Sequence, residues 1–421
     1  MAGGEGGSLL SVGCSVILAA PETHSTFGNI PKIVRQSYFA LFICAASDVF
    51  AGYSIAKMAH FLAIYPALLI LVPGLMGMRG NIFGSFGAML GTSLHTGEIA
   101  PPYRSSPAMR DQVAGAAVRT LILSLMLAMI VKTFSLVAGV EIMGLHHLIL
   151  ISTLTGILSG TVLLVFTSLM ITKSIRTGWD PDNISLPLIT AAGDITTIPL
   201  LYLSIVIVLA LSDVLVTIAS LAVIVLSIVA GIYSITAGRP LLARIIKQSV
   251  PILVLCAGLN TVGGIFMGFN MDLLLSYAAV LMILPVINAE AGNLGGILSS
   301  QLTSAYHLGI TRLEIWPDRA TKRNFLSLVV LSLLLFPTLG LIAETVAIAS
   351  GLSSPGIWDL VRICLVAGLA ATAFAISITY YLTHIFIKVG VDPDNVVIPI
   401  LCSSMDVLGT GCLILVAHAT I

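Results

Sequence analysis

The stretch DPDNISLPLITAAGD, from Asp180 to Asp194, ends in a carboxylate that its surroundings do not explain. ITTIPLLYLSIVIVLAL follows at once, with no basic residue to pair with it. A second stretch, DPDNVVIPILCSSMD, runs from Asp392 to Asp406 and ends the same way. The meaning of these aspartates depends on the solvent around the chain, and composition identifies it. Of 421 residues, 57% are hydrophobic and only 9% charged, with a mean hydropathy of +1.08. A soluble domain carries about 25% charged residues. The apolar runs exceed the roughly 20 residues that a spanning helix needs and lack the period-two alternation of a barrel. The expected fold is therefore all-α, a polytopic helical membrane protein whose partner is the lipid bilayer.

Other classes are disfavoured by the same numbers. A net charge of +0 gives no basis for a nucleic-acid partner. Cys44, Cys256, Cys364 and Cys402 sit in apolar runs without metal-type spacing and read as small buried hydrophobes. LLSVGCSVILAA near the start has the look of a signal core but no basic residues before it, so a cleaved signal is not the expected reading. No long hydrophilic segment is present for a soluble catalytic or regulatory domain.

The second stretch follows the first by 212 positions, 392 against 180 and 406 against 194. The same shift, without a gap, sets PGLMGMRGNIFGSFGAMLGTSLHTG (Pro73 to Gly97) on PVINAEAGNLGGILSSQLTSAYHLG (Pro285 to Gly309). Pro73, Gly80, Asn81, Gly84, Leu90, His95 and Gly97 then meet identical residues. One ungapped shift across both halves indicates internal duplication.

Each half divides into five apolar segments, in the first at about 35–58, 62–95, 113–138, 146–172 and 184–211. An unpaired apolar run, 213–236, lies between the halves and brings the spans to eleven. Because that linker span restores orientation, the halves are expected to be parallel, two five-helix repeats about an axis along the membrane normal. The expected division is an N-terminal segment 1–27, a first repeat 28–211, a linker helix 212–239 and a second repeat 240–421. Such a chain is a pseudo-dimer by itself and is compatible with a monomer. Basic residues such as Lys32, Arg35, Lys173, Arg176, Arg239, Arg244 and Lys388 fall on one side, while the other holds little beyond Lys57 and Arg362. The positive-inside rule then places the N-terminus in the cytoplasm and the C-terminus outside, in a plasma-membrane protein.

An aspartate at bilayer depth costs about 2.5–3.5 kcal/mol on insertion scales, so it normally faces a bundle interior or a water-filled path. Asp194 and Asp406 occur at matching positions and lack a basic partner in their own helices, which suits a cation between them. A protonated or hydrogen-bonded structural aspartate is the plainer alternative. Asp180 and Asp392, with Asp182 and Asp394, open the same helices at the cytoplasmic side, where they would concentrate cations. Capping free N–H groups at a helix start is an equally good use of Asp182 and Asp394.

The second segment is longer than a roughly 30 Å core requires and rich in glycine, so a tilted or broken helix packed closely on its counterpart is expected. Asn81 and Asn293 there offer side-chain oxygens for an ion or for interhelical hydrogen bonds. Arg79 and Glu290 break the symmetry, since Arg79 matches Ala291 and Glu290 matches Met78. An intramembrane ion pair between them is expected, because an unpaired charge there is costly. His95 and His307 fall near the cytoplasmic end of that segment, where interfacial roles are commoner than metal ligation.

The pattern P-x6-G-N with DPDN-x3-P-x6-D, present in both halves, resembles the MgtE and solute-carrier 41 magnesium transporters. The resemblance covers nearly the whole chain apart from the N-terminal segment and the linker span. Its paired arrangement is closer to the fused solute-carrier 41 type than to the MgtE homodimer. It implies five spans per half and a path on the twofold axis. The family's functional aspartate falls on Asp194 and, by position, on Asp406, where Met405 replaces the preceding glycine. The glycine-asparagine pair falls on Gly80-Asn81 and Gly292-Asn293. MgtE proteins carry a soluble magnesium-sensing region before the pore; only about 30 residues precede the first span here, so gating by such a sensor is not expected.

The expected function is transport of a divalent cation, Mg2+ foremost, with Na+ as a coupling ion if the chain is an exchanger. Mg2+ prefers six oxygen ligands and releases water reluctantly, which suits aspartates and amides without His or Cys clusters. No catalytic or cofactor-binding residues are expected. Two other readings stay open at this point: an intramembrane aspartyl enzyme, which requires the two aspartates to share a proton, and a carrier whose Arg79 binds an organic anion.

Overall fold

The computed structural model describes residues 30–95, 106–139, 143–176, 181–307, 311, 314–389 and 393–421. These residues form an all-α, polytopic membrane protein. In chain order the helices are α1 (Ile30–Lys57), α2 (Ala59–Ile64), α3 (Pro66–His95), α4 (Pro107–Ala138), α5 (Leu145–Arg176) and α6 (Pro181–Leu209). Then come α7 (Asp213–Thr236), α8 (Pro240–Phe269), α9 (Met271–Ser276), α10 (Ala278–His307), α11 (Arg319–Ser350), α12 (Ile357–Val389) and α13 (Pro393–Thr420). Among the described residues, 10 helices are long and apolar enough to cross a membrane. The other long helix is α1, with 28 residues; it carries Lys32, Arg35, Asp48 and Lys57 and is not among the ten.

Helix boundaries repeat with the sequence shift. The starts of α2, α3, α4, α5 and α6 at 59, 66, 107, 145 and 181 recur at 271, 278, 319, 357 and 393. The chemistry of the boundaries recurs as well. Ser106 and Asp318 are the matching N-cap residues of α4 and α11, and Asp318 accepts from the Thr321 N–H at 2.7 Å. Slight burial raises the Asp318 carboxyl, but hydrogen bonds from Thr321 and Thr311 outweigh it and hold the group below its ordinary value. Both helices stop at a left-handed glycine, Gly139 at φ 68° and Gly351 at φ 66°, where a side chain would be strained.

The break expected in the long second segment lies elsewhere than its glycines. It falls at Tyr65, between α2 and α3, and α3 then runs unbroken through Pro73 to His95. The close crossing expected between α3 and α10 is likewise replaced by another. α1 packs on α10 and α11, across the halves, and α8 packs on α3 and α4. Two glycines set the contact. A Cβ on Gly52 of α1 would lie 1.8 Å from the Met282 carbonyl oxygen, and one on Gly264 of α8 would lie 2.4 Å from that of Ile70. Gly264 and Met282 are the 212-shifted matches of Gly52 and Ile70, so one crossing is built twice. The first helix of each half is thereby held against the other half. α7 lies on α4, α5 and α8.

Candidate functional site

Asp194 lies in the middle of α6 and is 6% exposed. The side chain facing it comes from α1: Asp48, 2% exposed, with its carboxyl in hydrogen-bonding reach of the Asp194 carboxyl. The matching place in the second half is held by an amide. With the Asn260 amide oriented so that both of its ends find partners, its nitrogen donates to Asp406 Oδ2 at 3.2 Å, Ser403 Oγ at 3.0 Å and the Cys256 carbonyl at 3.0 Å. Asn260 is the 212-shifted match of Asp48, and Asp406 that of Asp194. The same pair of positions thus meets in each half, as two acids in one and as an amide and an acid in the other.

Close backbone approach brings the pieces together. A Cβ on Gly77 of α3 would strike the Asn260 amide and lie 3.2 Å from Asp406 Oδ2, so a helix of the first half borders the acid of the second. Gly263 leaves the same kind of room beside the Asp406 backbone, where a Cβ would lie 2.5 Å from its carbonyl oxygen. Asn288 of α10 donates to Thr410 Oγ1 at 3.0 Å and to the Asp406 carbonyl at 3.5 Å. Asp406 is only half-buried, in a helix that packs on α3, α8, α10 and α12.

Glu290 joins this group from α10. It is fully buried, its Oε1 accepts from Asn293 at 3.5 Å, and its Oε2 has no partner. It lies within electrostatic reach of Asp48 and Cys44, and Asp194 within reach of Asp406. Four carboxyl groups from α1, α6, α10 and α13 therefore converge, and none makes an ion pair with a lysine or arginine among the described residues. In a medium of low dielectric such neighbours either take up protons or share a cation.

The ion pair expected between Arg79 and Glu290 is not formed. Arg79 turns into its own half, where it donates to the Gly156 carbonyl at 3.1 Å, to Thr120 Oγ1 at 3.4 Å and to Ser124 Oγ at 3.4 Å. The reason is the crossing described above: α3 lies against α8 and α10 against α1, so the adjacent slots of α3 and α10 do not face each other. Gly156 gives the guanidinium its room, since a Cβ there would lie 3.0 Å from Arg79 Nη2.

Gly80 and Gly292 sit at matching places, where an added Cβ would lie 3.7 Å from Thr190 and 3.3 Å from Cys402 Sγ. Asn81 keeps its Nδ2 buried without a partner. Asp182 and Asp394 fall in the first turns of α6 and α13, but their side chains, and Asp180 and Asp392 altogether, lie outside the described residues. The side chains of His95 and His307 lie outside them too. Sequence reasoning missed Asp48, Asn260 and Asn288. Asp48 had a readable signal, an acid inside an apolar segment, but it lacks an acidic match 212 residues on.

Among the described residues, no group of three or more His, Cys, Asp or Glu side chains is gathered tightly enough to hold a metal ion directly. An ion held here would keep part of its water, as Mg2+ commonly does.

The MgtE family profile, described as that of a divalent cation transporter, matches residues 72–205 and 284–416. Among curated proteins, solute carrier family 41 member 3 of Rattus norvegicus is 25% identical over 427 residues, covering 93% of this chain and 89% of that protein. The member 3 protein of Mus musculus is 23% identical, over 83% of this chain and 74% of its own length. Member 2 of Homo sapiens is 24% identical over 83% of this chain, a match that spans 63% of that relative. No solved structure matches the chain.

Proposed function

We propose, from the premise that this chain belongs to the MgtE family of divalent cation transporters, that it carries Mg2+ across the plasma membrane along a path bordered by Asp194 and Asp406. The observation that carries this reading is the convergence of four carboxyl groups from four helices without a basic partner among the described residues. In a membrane core such groups are costly, and they mark ion or proton paths. The chain is a transporter and not an enzyme, by its family.

In this reading the chain has eleven spans, two parallel five-helix repeats (28–211 and 240–421) joined by a linker span (212–239) after an N-terminal segment (1–27). The repeated helix boundaries and the twice-built crossing of Gly52 and Gly264 support it. One chain forms the whole pseudo-dimer, with the N-terminus cytoplasmic and the C-terminus outside. Asp180, Asp182, Asp392 and Asp394 draw cations to the cytoplasmic mouth. Asp194 and Asp406 hold a partly hydrated ion within the bundle, with Asn81 and Asn293 lining the approach. An organic-anion carrier is disfavoured, because the guanidinium of Arg79 is engaged inside its own half.

The test is Mg2+ flux into liposomes carrying the purified protein, run with and without a sodium gradient. Uptake above protein-free liposomes is the expected result, and acceleration by the gradient would identify Na+ as the coupling ion. Protein that is folded yet moves no divalent cation would contradict the proposal.

A further inference from the structure

The two halves of the central site have opposite hydrogen-bonding character. In the second half, Asp406 Oδ2 already accepts from the Asn260 amide, whose nitrogen also serves Ser403 and the Cys256 carbonyl. A cation there would share the carboxylate with an N–H donor that already draws on its charge. In the first half the group facing Asp194 is another carboxyl, Asp48, which when ionised has only acceptors to offer. Beside that pair stands Glu290 of the opposite half, fully buried and with Oε2 unpartnered. The Asn260–Asp406 pair has no matching acid from the first half, since Glu290 aligns with Met78. The arginines of the first half do not supply the missing charge: Arg79 is turned to Gly156, Thr120 and Ser124, and Arg119 to Ser85 and the Gly115 carbonyl.

We propose that the divalent cation is held through its water shell off the pseudo-twofold axis, between Asp48 and Asp194 with Glu290 as a third carboxylate, and that Asn260 marks a neutralised copy of the same half-site. This deepens the transport reading and rests on it. Asp48 is then a cation-binding residue of the first half. Asn260 orients Asp406, which contributes charge across the axis rather than the principal ligand. The duplicated fold thus presents one strong and one weak half-site to the ion.

The experiment is Mg2+ flux of the full chain in liposomes, read as the half-saturating Mg2+ concentration. Asp48→Asn and Asp194→Asn are each expected to raise it at least about 10-fold, as when a charged partner is removed from a buried site. Asp406→Asn is expected to raise it by a clearly smaller factor. In the exchange variant Asp48→Asn/Asn260→Asp the acid pair moves to the second half, and the order of Asp194→Asn and Asp406→Asn is expected to reverse. Equal factors for Asp194→Asn and Asp406→Asn in the native background would overturn the inference, as would Asp48→Asn matching the unmodified protein. The comparison of Asp194 with Asp406 stands even if the Asp48 variant fails to fold. Unmodified protein that moves no divalent cation overturns the transport reading and this inference together, whereas normal flux by Asp48→Asn overturns the inference alone.

Discussion

Arg79 and Glu290 show how a single residue is misread when only its register is known. Their positions, 79 matching 291 and 290 matching 78, place them in adjacent slots of matching helices, and an ion pair follows if those helices face each other. They do not, and each charge finds polar partners within its own half. The consequence is measurable by a double-mutant cycle on unfolding in detergent. Arg79→Ala and Glu290→Ala are expected to destabilise additively, with a coupling within about 0.5 kcal/mol, as for residues that share no partner. A coupling of several times that size would restore the pair. Arg79→Ala alone is expected to cost more than a surface substitution, because it empties a fully buried site of a large side chain and its three hydrogen bonds. Asp48 escaped notice for a related reason: repetition singled out Asp194 and Asp406, and the match of Asp48 is an amide.

At the scale of elements, the apolar segments and the duplication were legible because span length and an ungapped 212-residue shift are properties of the chain itself. Which helix lies against which was not. Nothing in the sequence of α1 says that it packs on α10 rather than on α3, since the two are matching copies of one segment. Gly52 and Gly264 carry that information, but only once a carbonyl is seen beside each. The break before α3 was likewise displaced from the glycine-rich stretch to Tyr65, where Pro66 opens the next helix and has no N–H to lose to the preceding turn. Gly52→Ala is expected to destabilise by about 1–3 kcal/mol or more, because the rigid backbone of Met282 cannot yield. Gly351→Ala should cost about 1–2 kcal/mol, through left-handed backbone strain alone, as no atom lies within 4 Å of its Cβ position. Thermal unfolding in detergent compares the two, and a harmless Gly52→Ala would remove the close crossing from the account.

For the whole molecule, duplication supplies two copies of one helix set, and the crossing of α1 and α8 ties each half to the other. Acids of four helices then lie within the bundle, and no lysine or arginine pairs with them among the described residues. Divergence between the copies has left Asp48 in one and Asn260 in the other, so a symmetric scaffold holds an asymmetric set of charges. The central claim is that this interior charge moves a divalent cation. Its most direct measurement is Mg2+ uptake by liposomes containing the Asp194→Ala/Asp406→Ala variant, set beside the unmodified protein at equal incorporation. The account predicts uptake by the unmodified protein and none above protein-free liposomes for the variant; undiminished uptake by the variant would contradict it.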